Sequence, residues 1–463
     1  MLREAAPVAT VNRPRLERIA FRTSRLLDFV GQRELVAQIG HSVNEWPLVV
    51  LKEFVDNAID ACEEAEVAPE VGIAVDTAKG TITVADNGPG IASGTIDDIL
   101  DYTVRVSSRE AYVSPTRGAQ GNALKTILAM GFALSGERGE TVIESRGVAN
   151  HIVFAADRIR QEPRIDRTGT PSLVKKGTSV TVRWPESACS MLEHSKERFL
   201  QIAHDFTWAN PHLSLSVCWN SKSSSVQASH PDWKKWRPSD PTSAHWYDLE
   251  RFERYIAAHI ARDQDRGQNR TVREFISEFR GLSGSAKQKA VLDEVLAARL
   301  SLAEFAANGK RDISHGATAK LLEAIRKHTR PVNARDLGMV GREHLLTCFT
   351  QAGAHPKSFK YKLITGDEDN GVPVVIETAF GWCPKGSVRR IITGVNFSVA
   401  LGNPFRSFRC GEGLESMLAN QRAGSSEPIV FFLHLASPRV SFSDRGKTAL
   451  VIGGRSHDEH QPC

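Results

Sequence analysis

The chain has 463 residues, of which 41% are hydrophobic and 24% charged, and its formal net charge is +5. This length exceeds one ordinary hydrophobic core and predicts about two or three soluble globular domains. No apolar run approaches the roughly 18 residues needed to span a bilayer, and no signal-peptide segment opens the chain. We therefore expect a cytoplasmic protein without a membrane partner. Seven scattered cysteines without a CxxC pair argue against a disulfide framework and a zinc ribbon.

The first half of the chain alternates between helical and strand-like patterns. An Arg-rich arm over 1–30 comes first. A Gly-containing loop of five residues between two alternating segments predicts a β-hairpin. Together the elements predict an α+β sandwich. The predicted helices lie at 33–39, 48–66 and 118–130, and the predicted strands at 71–75, 81–85, 141–145, 151–154 and 179–184.

The second half begins with a segment over 220–245 that is rich in Ser, Pro, Trp and Lys, which predicts a linker or inserted loop. Residues 249–330 have helical periodicity, and strands are expected from about residue 331 onward. The helical segment is basic, with 14 Lys or Arg against 9 Asp or Glu over 262–330. Such a patch can neutralise phosphates, although a salt-bridged helical surface explains it equally well. The predicted late strands lie at 361–365, 372–379, 390–397 and 428–435.

The helix over 48–66 sorts its residues onto two faces at about 100° per residue. Glu53 on the polar face is a candidate general base for a water molecule, and Asn57, one turn later, offers an amide oxygen to Mg²⁺. Asp56 and Asp60 are expected to support these two groups from behind. The apolar stripe consists of Leu48, Leu51, Val55, Ile59 and Cys62.

A second polar cluster follows the strand at 81–85. The carboxylate of Asp86 can accept a hydrogen bond from an adenine amino group, and Gly88 and Gly90 let the backbone approach the base. Later, a glycine-rich segment precedes a helix, whose N-terminus can bind an anion. Each motif is weak alone, but their order on suitable elements predicts an ATP site. The further candidates are Gly118, Ala119, Gln120, Gly121, Asn122 and Lys125 for the phosphates, and Thr178 for adenine.

This order of motifs resembles the Bergerat ATP-binding fold of the GHKL superfamily, shared by gyrase, heat-shock-90 chaperones, histidine kinases and MutL. Within the superfamily, the sequence is similar to the B subunit of topoisomerase VI, a type IIB DNA topoisomerase. The similarity lies in two segments. Residues 60–65 continue the motif of the helix that carries Glu53, and Ser107 and Ser108 precede the glycine-containing residues 117–121 in the segment that forms the family's lid. It covers most of residues 20–455 and is strongest over 48–130.

The resemblance implies that Glu53 is the general base, Asn57 the Mg²⁺ ligand and Asp86 the adenine reader. It also implies that Lys447 reaches the ATP γ-phosphate from a later domain. The implied fold is α+β: a Bergerat-type α/β sandwich, an inserted helix-two-turn-helix-like domain and a C-terminal α/β transducer domain of the ribosomal-S5-like type. The expected boundaries are 1–30 for the basic arm, 31–225 for the ATP-binding domain, 226–335 for the linker and helical domain, 336–455 for the transducer domain and 456–463 for a disordered tail.

The implied function is an ATP-hydrolysing subunit that forms an ATP-dependent homodimer and clamps double-stranded DNA beside a separate DNA-cleaving A-type subunit. Ala123 replaces the usual third lid glycine, which predicts a stiffer loop. Only 16 residues follow Lys447, too few for the long C-terminal extension with which the family's B subunit docks its A subunit, so an A-type partner would have to bind in another way or be absent. The alternatives are a stand-alone GHKL switch or adaptor, or a MutL-like DNA-repair ATPase, without topoisomerase activity.

Two further patterns imitate metal sites. Asp263 and Asp265 form a DxD motif, but no strand precedes it, so we expect no metal there. The tail residues His457, His460 and Cys463 lack a fourth ligand, which favours a disordered terminus. No tyrosine has a recognisable nucleophile context, and the chain is not expected to cleave DNA itself.

Overall fold

A computed structural model of the chain describes residues 30–100, 112–117, 123–157, 159–160, 162–307, 312–368, 371–384, 389–408 and 411–451. The predicted arm, except its last residue, and the predicted tail lie outside this range. So do Ser107, Ser108 and the predicted phosphate loop, which we define as residues 118–122. Among the described residues, no helix is both long and apolar enough to cross a bilayer.

The first part of the chain forms an eight-stranded mixed sheet in the order β5-β4-β3-β6-β2-β1-β7-β8. The predicted hairpin is confirmed, with Val75 opposite Ile82. Strand β5 lies at the edge of the sheet and pairs only with β4. Most of its residues are exposed and polar, so its sequence carried no clear strand signal. The strands are β1 Glu70–Asp76, β2 Thr81–Ala85, β3 Gly139–Ser145, β4 Val148–Asp157, β5 Glu162–Pro171, β6 Thr178–Arg183, β7 Ser214–Trp219 and β8 Lys222–Val226.

The helices of this part pack with the sheet around one hydrophobic core. All five residues of the predicted apolar stripe are buried, which confirms the two-faced helix. Pro47 lies in its first turn, where its missing N–H costs nothing. The last predicted helix is present from Ala123 onward, and its predicted first residues, 118–122, lie outside the described residues. The helices are α1 Gln32–Ile39, α2 Trp46–Glu64, α3 Ser93–Leu100, α4 Ala123–Ser135 and α5 Ser190–Ala209.

The middle of the chain is helical, as predicted. Side-chain oxygens of Asp248, Thr271, Ser301 and Ser314 accept from N–H groups at four helix starts, which satisfies donors that the helix leaves open. The segment over 220–245, predicted as a linker or inserted loop, forms β8 and then a loop that packs on the protein, with Trp236 buried and Trp233 partly buried. The helices are α6 Leu249–Asp265, α7 Val272–Ile276, α8 Ser285–Glu294, α9 Leu302–Ala306 and α10 His315–His328.

The last part contains a five-stranded sheet in the order β12-β11-β13-β10-β9. Strand β11 runs parallel to β13, and the other pairs are antiparallel. A continuous hydrophobic core joins this sheet to the helical middle part, from Phe252 to Phe432. The elements are α11 Arg342–Gln351, β9 Lys360–Glu368, β10 Val372–Trp382, β11 Arg390–Val395, β12 Ser398–Val399, α12 Leu414–Asn420 and β13 Ile429–Ala436.

His344 on α11 joins the last part to the end of α5. Its Nε2 lies 3.0 Å from the carbonyl oxygen of Thr207, and its Nδ1 lies 2.6 Å from the hydroxyl of Ser229. A carbonyl only accepts, so Nε2 carries the proton and Nδ1 accepts from the serine. Burial lowers the pKa of His344 to about 4. The imidazole is therefore neutral in the folded protein.

This neutral histidine predicts a loss of stability in mild acid. An unfolded histidine binds its proton near pH 6.5, before the folded one does, so the unfolded state gains as the pH falls from there towards 4. We expect this group to lower the free energy of unfolding by about 2 kcal/mol between pH 7 and pH 5. Urea unfolding at the two pH values measures it. The variant His344→Gln keeps a donor but does not titrate, and an unchanged acid sensitivity in that variant would contradict the assignment.

Candidate nucleotide site

Glu53 and Asn57 lie one turn apart on the accessible side of α2. The side chain of Glu53 is 25% exposed, and Asn57 is exposed. The predicted polar face does not extend further, because Asp56 and Asp60 are buried against other parts of the chain. Asp56 accepts from Lys52 Nζ at 2.8 Å, and Asp60 accepts from Arg117 Nη1 at 2.6 Å. Their expected support of a metal ligand is thus replaced by ion pairing in the interior.

The charge of Glu53 is set by two lysines. Burial raises the pKa of this carboxyl, but the ammonium groups of Lys52 and Lys447 outweigh it, and the net pKa lies below the ordinary value. Lys52 Nζ lies 3.5 Å from Glu53 Oε1. Glu53 is therefore ionised at neutral pH and can accept a proton.

Lys447 arrives at α2 from the other end of the chain. Its Nζ donates to the carbonyl oxygen of Arg117 at 3.1 Å, and burial, with the nearby charge of Lys52, lowers its pKa. The loop over 443–448 packs against the end of α1, where Gly446 leaves no room for a Cβ on Gly40. Lys447 thus docks against the first part of the chain, and its charge lowers the pKa of Glu53, whereas its predicted contact with the γ-phosphate stays a prediction.

Asp86 is held at the end of β2 by the backbone. Its Oδ1 accepts from the N–H groups of Gly88 at 2.8 Å and Thr178 at 3.2 Å. Burial raises the pKa of Asp86 above its usual value. In the described part of the chain, no group is hydrogen-bonded to Oδ2. That oxygen is available to an adenine amino group, and the predicted contact of Thr178 with adenine stays a prediction.

Gly88 and Gly90 lie where neighbouring protein atoms leave no space for a side chain. A Cβ on Gly90 would lie 2.6 Å from Ser145 Oγ, and one on Gly88 would lie 2.9 Å from Asp86 Oδ1. These contacts already require glycine at both positions, and the predicted close approach of the backbone to the base stays a prediction. The tightest position is Gly177, with φ +78° and a Cβ position 1.9 Å from the carbonyl oxygen of Asp86.

Sequence reasoning missed Ser145 as part of this site. Its hydroxyl accepts from Ile91 N at 2.8 Å and donates to the carbonyl oxygen of Gly177 at 3.1 Å. It thereby joins the two loops that hold Asp86. Ser145 ends β3, far along the chain from Asp86, and a lone serine at a strand end carries no signal.

The phosphate side of the site is described only in part. Lys125 is buried in the first turn of α4. Its predicted partners in the phosphate loop lie outside the described residues, and their roles stay predictions. No group of three Asp, Glu, His or Cys side chains among the described residues could hold a metal. The exposed amide of Asn57 still fits Mg²⁺, which takes few protein ligands and completes its shell with water and phosphates.

Comparison with known proteins agrees with this geometry. Residues 44–188 match the family described as histidine kinase-, DNA gyrase B- and HSP90-like ATPase. The B subunit of type 2 DNA topoisomerase 6 from Archaeoglobus fulgidus is 25% identical over 174 residues, or 36% of this chain and 28% of that protein. Its counterpart from Natronomonas pharaonis is 32% identical over 127 residues, or 26% and 15%.

These matches span less than a third of either relative's length. Among solved structures, the gyrase B protein from Myxococcus xanthus aligns with 93% of this chain and 91% of its own, at 11% identity and a TM-score of 0.41. By its family match, the segment over residues 44–188 is similar to ATPases of the histidine kinase, gyrase B and HSP90 type, and the chain is similar over part of its length to the B subunit of topoisomerase VI.

Proposed function

We propose that the chain binds and hydrolyses ATP with Mg²⁺ and that ATP drives it to dimerise as a clamp on double-stranded DNA, beside a separate DNA-cleaving subunit. The observation that carries the proposal is the docking of Lys447, from the last part of the chain, against the first part. Its Nζ donates to the carbonyl oxygen of Arg117 at 3.1 Å, and its charge lowers the pKa of Glu53. Nucleotide state can therefore control how the two parts are oriented.

Bound Mg²⁺–ATP would supply the phosphoanhydride bond to be broken and the metal charge on its phosphates. Asp86 orients the adenine through Oδ2, and Asn57 holds the metal. Glu53, kept ionised by its lysine neighbours, takes a proton from the attacking water. Lys447 would offer its positive charge to the phosphates. Together, these residues would recognise adenine, bind the metal, accept the proton and stabilise the charge on the phosphates.

The coupling of ATP to movement follows from where Lys447 is attached. A ligand shifts a conformational equilibrium only by its different affinity for the two states. A nucleotide that contacts Lys447 favours the form in which the last part is closed over α2. The pair of Arg390 and Asp205, 3.1 Å between Nε and Oδ1, joins the same two parts independently of the nucleotide.

We expect sedimentation to detect a dimer of the full chain with a non-hydrolysable ATP analogue and a monomer with ADP. Steady-state hydrolysis with and without duplex DNA tests the clamp, since DNA held in a closing dimer should raise the turnover. The variant Asp86→Asn, which replaces one acceptor oxygen by a donor, serves as the non-binding control. A monomer with bound analogue contradicts the clamp, and turnover indifferent to DNA favours the stand-alone switch or adaptor.

A further inference from the structure

Lys52 lies between two carboxylates of its own helix. Its Nζ donates to Asp56 Oδ2 at 2.8 Å and lies 3.5 Å from Glu53 Oε1. Hydrogen bonds between an ammonium and a carboxylate are about 2.7–2.9 Å long, so of these two contacts only the one with Asp56 has the length of such a bond. Lys52 is therefore close to the proposed general base without being hydrogen-bonded to it.

Asp56 has no direct part in the proposed reaction, and its side chain is only 5% exposed. The oxygen that binds Lys52 also accepts the hydroxyl of Ser398, the first residue of β12, at 2.7 Å. One oxygen of Asp56 thus receives two donors, one from α2 and one from the last sheet.

The turn before Ser398 is fixed to both parts of the chain. Asn396 and Phe397 have left-handed φ angles of +50° and +66°, which cost free energy for residues other than glycine and persist only where the surroundings hold them. Phe397 N donates to His434 Nε2 at 3.0 Å in the last sheet, and the carbonyl oxygen of Phe397 accepts from Asn210 Nδ2 at 3.0 Å at the end of α5. The hydroxyl of Ser398 is therefore presented to Asp56 from a fixed backbone.

Lys52 is one of three cationic side chains that act on Glu53. Burial raises the pKa of Glu53, and Lys52, Lys447 and His41 lower it. Lys52 itself stays charged, because burial lowers its pKa but Asp56 and Glu53 outweigh burial and raise it above the ordinary value. What can change at this position is the distance between the ammonium and Glu53.

That distance matters for a general base. A distant ammonium keeps the carboxylate ionised, whereas an ammonium hydrogen-bonded to it occupies a lone pair and lowers its affinity for a proton. We propose that Asp56, held by Ser398 of the last sheet, is a positioning residue that draws Lys52 away from Glu53 and leaves the base free for the water. The inference rests on the proposed function, because it concerns the base of the proposed hydrolysis.

Steady-state hydrolysis of ATP by the full chain gives the first test. Asp56→Asn keeps the shape of the side chain but removes the charge that competes for Lys52, so the ammonium moves to Glu53. We expect kcat to fall about tenfold or more, which is within the contribution of a general base, while KM for ATP stays within about twofold. An unchanged kcat overturns the proposal.

A second substitution should rescue this variant. Without the ammonium there is nothing to draw away from Glu53, and the charge of Lys447 still favours its ionised form. We expect Asp56→Asn combined with Lys52→Met to recover kcat to within about threefold of the unsubstituted chain. A structural defect caused by Asp56→Asn would not be repaired in this way, so a double variant that stays as slow as Asp56→Asn overturns the proposal.

The second test needs no nucleotide. Lys52→Met and Glu53→Gln, made singly and together, give the coupling between the two side chains from urea unfolding. We expect this coupling, as a ratio of unfolding equilibrium constants, to be about fivefold or more larger when the cycle is repeated with Asp56→Asn. Equal coupling in the two cycles overturns the proposal. Lys52→Gln, which keeps a donor for Asp56, replaces Lys52→Met if that variant does not fold.

Ser398→Ala tests the contribution of the last sheet. We expect it to lower kcat about threefold by itself and to have no further effect in the Asp56→Asn variant, because it acts through Asp56. Its matched control is Ser437→Ala, since Ser437 is also buried but its hydroxyl accepts from Arg439 N within the last part. The control should leave kcat within about twofold, and multiplying effects of Ser398→Ala and Asp56→Asn overturn the proposal.

The two tests separate this inference from the proposed function. If the unsubstituted chain does not hydrolyse ATP, the proposed function is overturned together with the catalytic consequence of this arrangement. If it does hydrolyse ATP, a missing rescue or an equal coupling overturns the inference alone.

Discussion

Replacing Glu53 by glutamine is expected to lower the rate of ATP hydrolysis by about 10²- to 10⁴-fold while ATP remains bound. Glutamine has nearly the same shape, but its amide cannot take a proton from water. In the unsubstituted chain, Lys52 and Lys447 keep the carboxylate ionised, so the base is ready at neutral pH. Steady-state phosphate release measures the loss, and equilibrium binding of ATP shows that the site is intact.

The matched control is Glu64→Gln, a change of the same charge on an exposed position of the same helix. It should leave hydrolysis within about twofold, since surface substitutions rarely act at a distance. If the clamp operates, the Glu53 variant accumulates as a dimer with ATP. A Glu53→Gln enzyme that hydrolyses ATP at the unsubstituted rate would remove Glu53 from the reaction.

Replacing Gly177 by alanine is expected to abolish nucleotide binding and to destabilise the fold by at least about 3 kcal/mol. The new Cβ would lie 1.9 Å from the backbone oxygen of Asp86, so the two loops must separate. Asp86 would then lose the N–H of Thr178 that aims its carboxylate. Thermal unfolding and adenosine binding measure the two consequences.

The variant Gly147→Ala distinguishes the steric clash with Asp86 from the free-energy cost of placing alanine in a left-handed backbone conformation. Gly147 has φ +82°, but no atom lies within 4 Å of its Cβ position. Alanine in this left-handed conformation costs about 1–2 kcal/mol, and nucleotide affinity should not change. Equal effects of the two substitutions would show that the contact with Asp86 is unimportant.

The sequence predicts the parts of this fold whose signal is local. The stripe from Leu48 to Cys62 repeats with the period of a helix, and the hairpin alternates with the period of a strand, so burial of one face follows directly. Glu53 and Asn57 could be assigned together because both lie on one helix. Asp86 could be assigned because it ends a strand before a glycine turn.

Contacts between distant residues gave no such signal. Asp60 was expected to support the neighbouring site residues and Glu63 had no assigned role, since their partners at Arg117 and Lys235 lie far along the chain. Lys235 even falls in a segment whose composition indicates a loop. Lys447 was assigned through the family resemblance, because an isolated lysine in a glycine-containing turn carries no information about which helix it meets.

Strand β12, a short edge strand of the last sheet, completes the interior of the first part of the protein. Val399 of this strand belongs to the hydrophobic core around α2, and Ser398 donates its hydroxyl to Asp56 at 2.7 Å across 342 residues of sequence. A fragment that stops after β8 would lack the apolar side chain of Val399 in its core and would leave the buried carboxylate of Asp56 without its serine donor. During synthesis, the packing around α2, the helix that carries Glu53, can therefore be completed only after β12, which lies late in the chain, has been made.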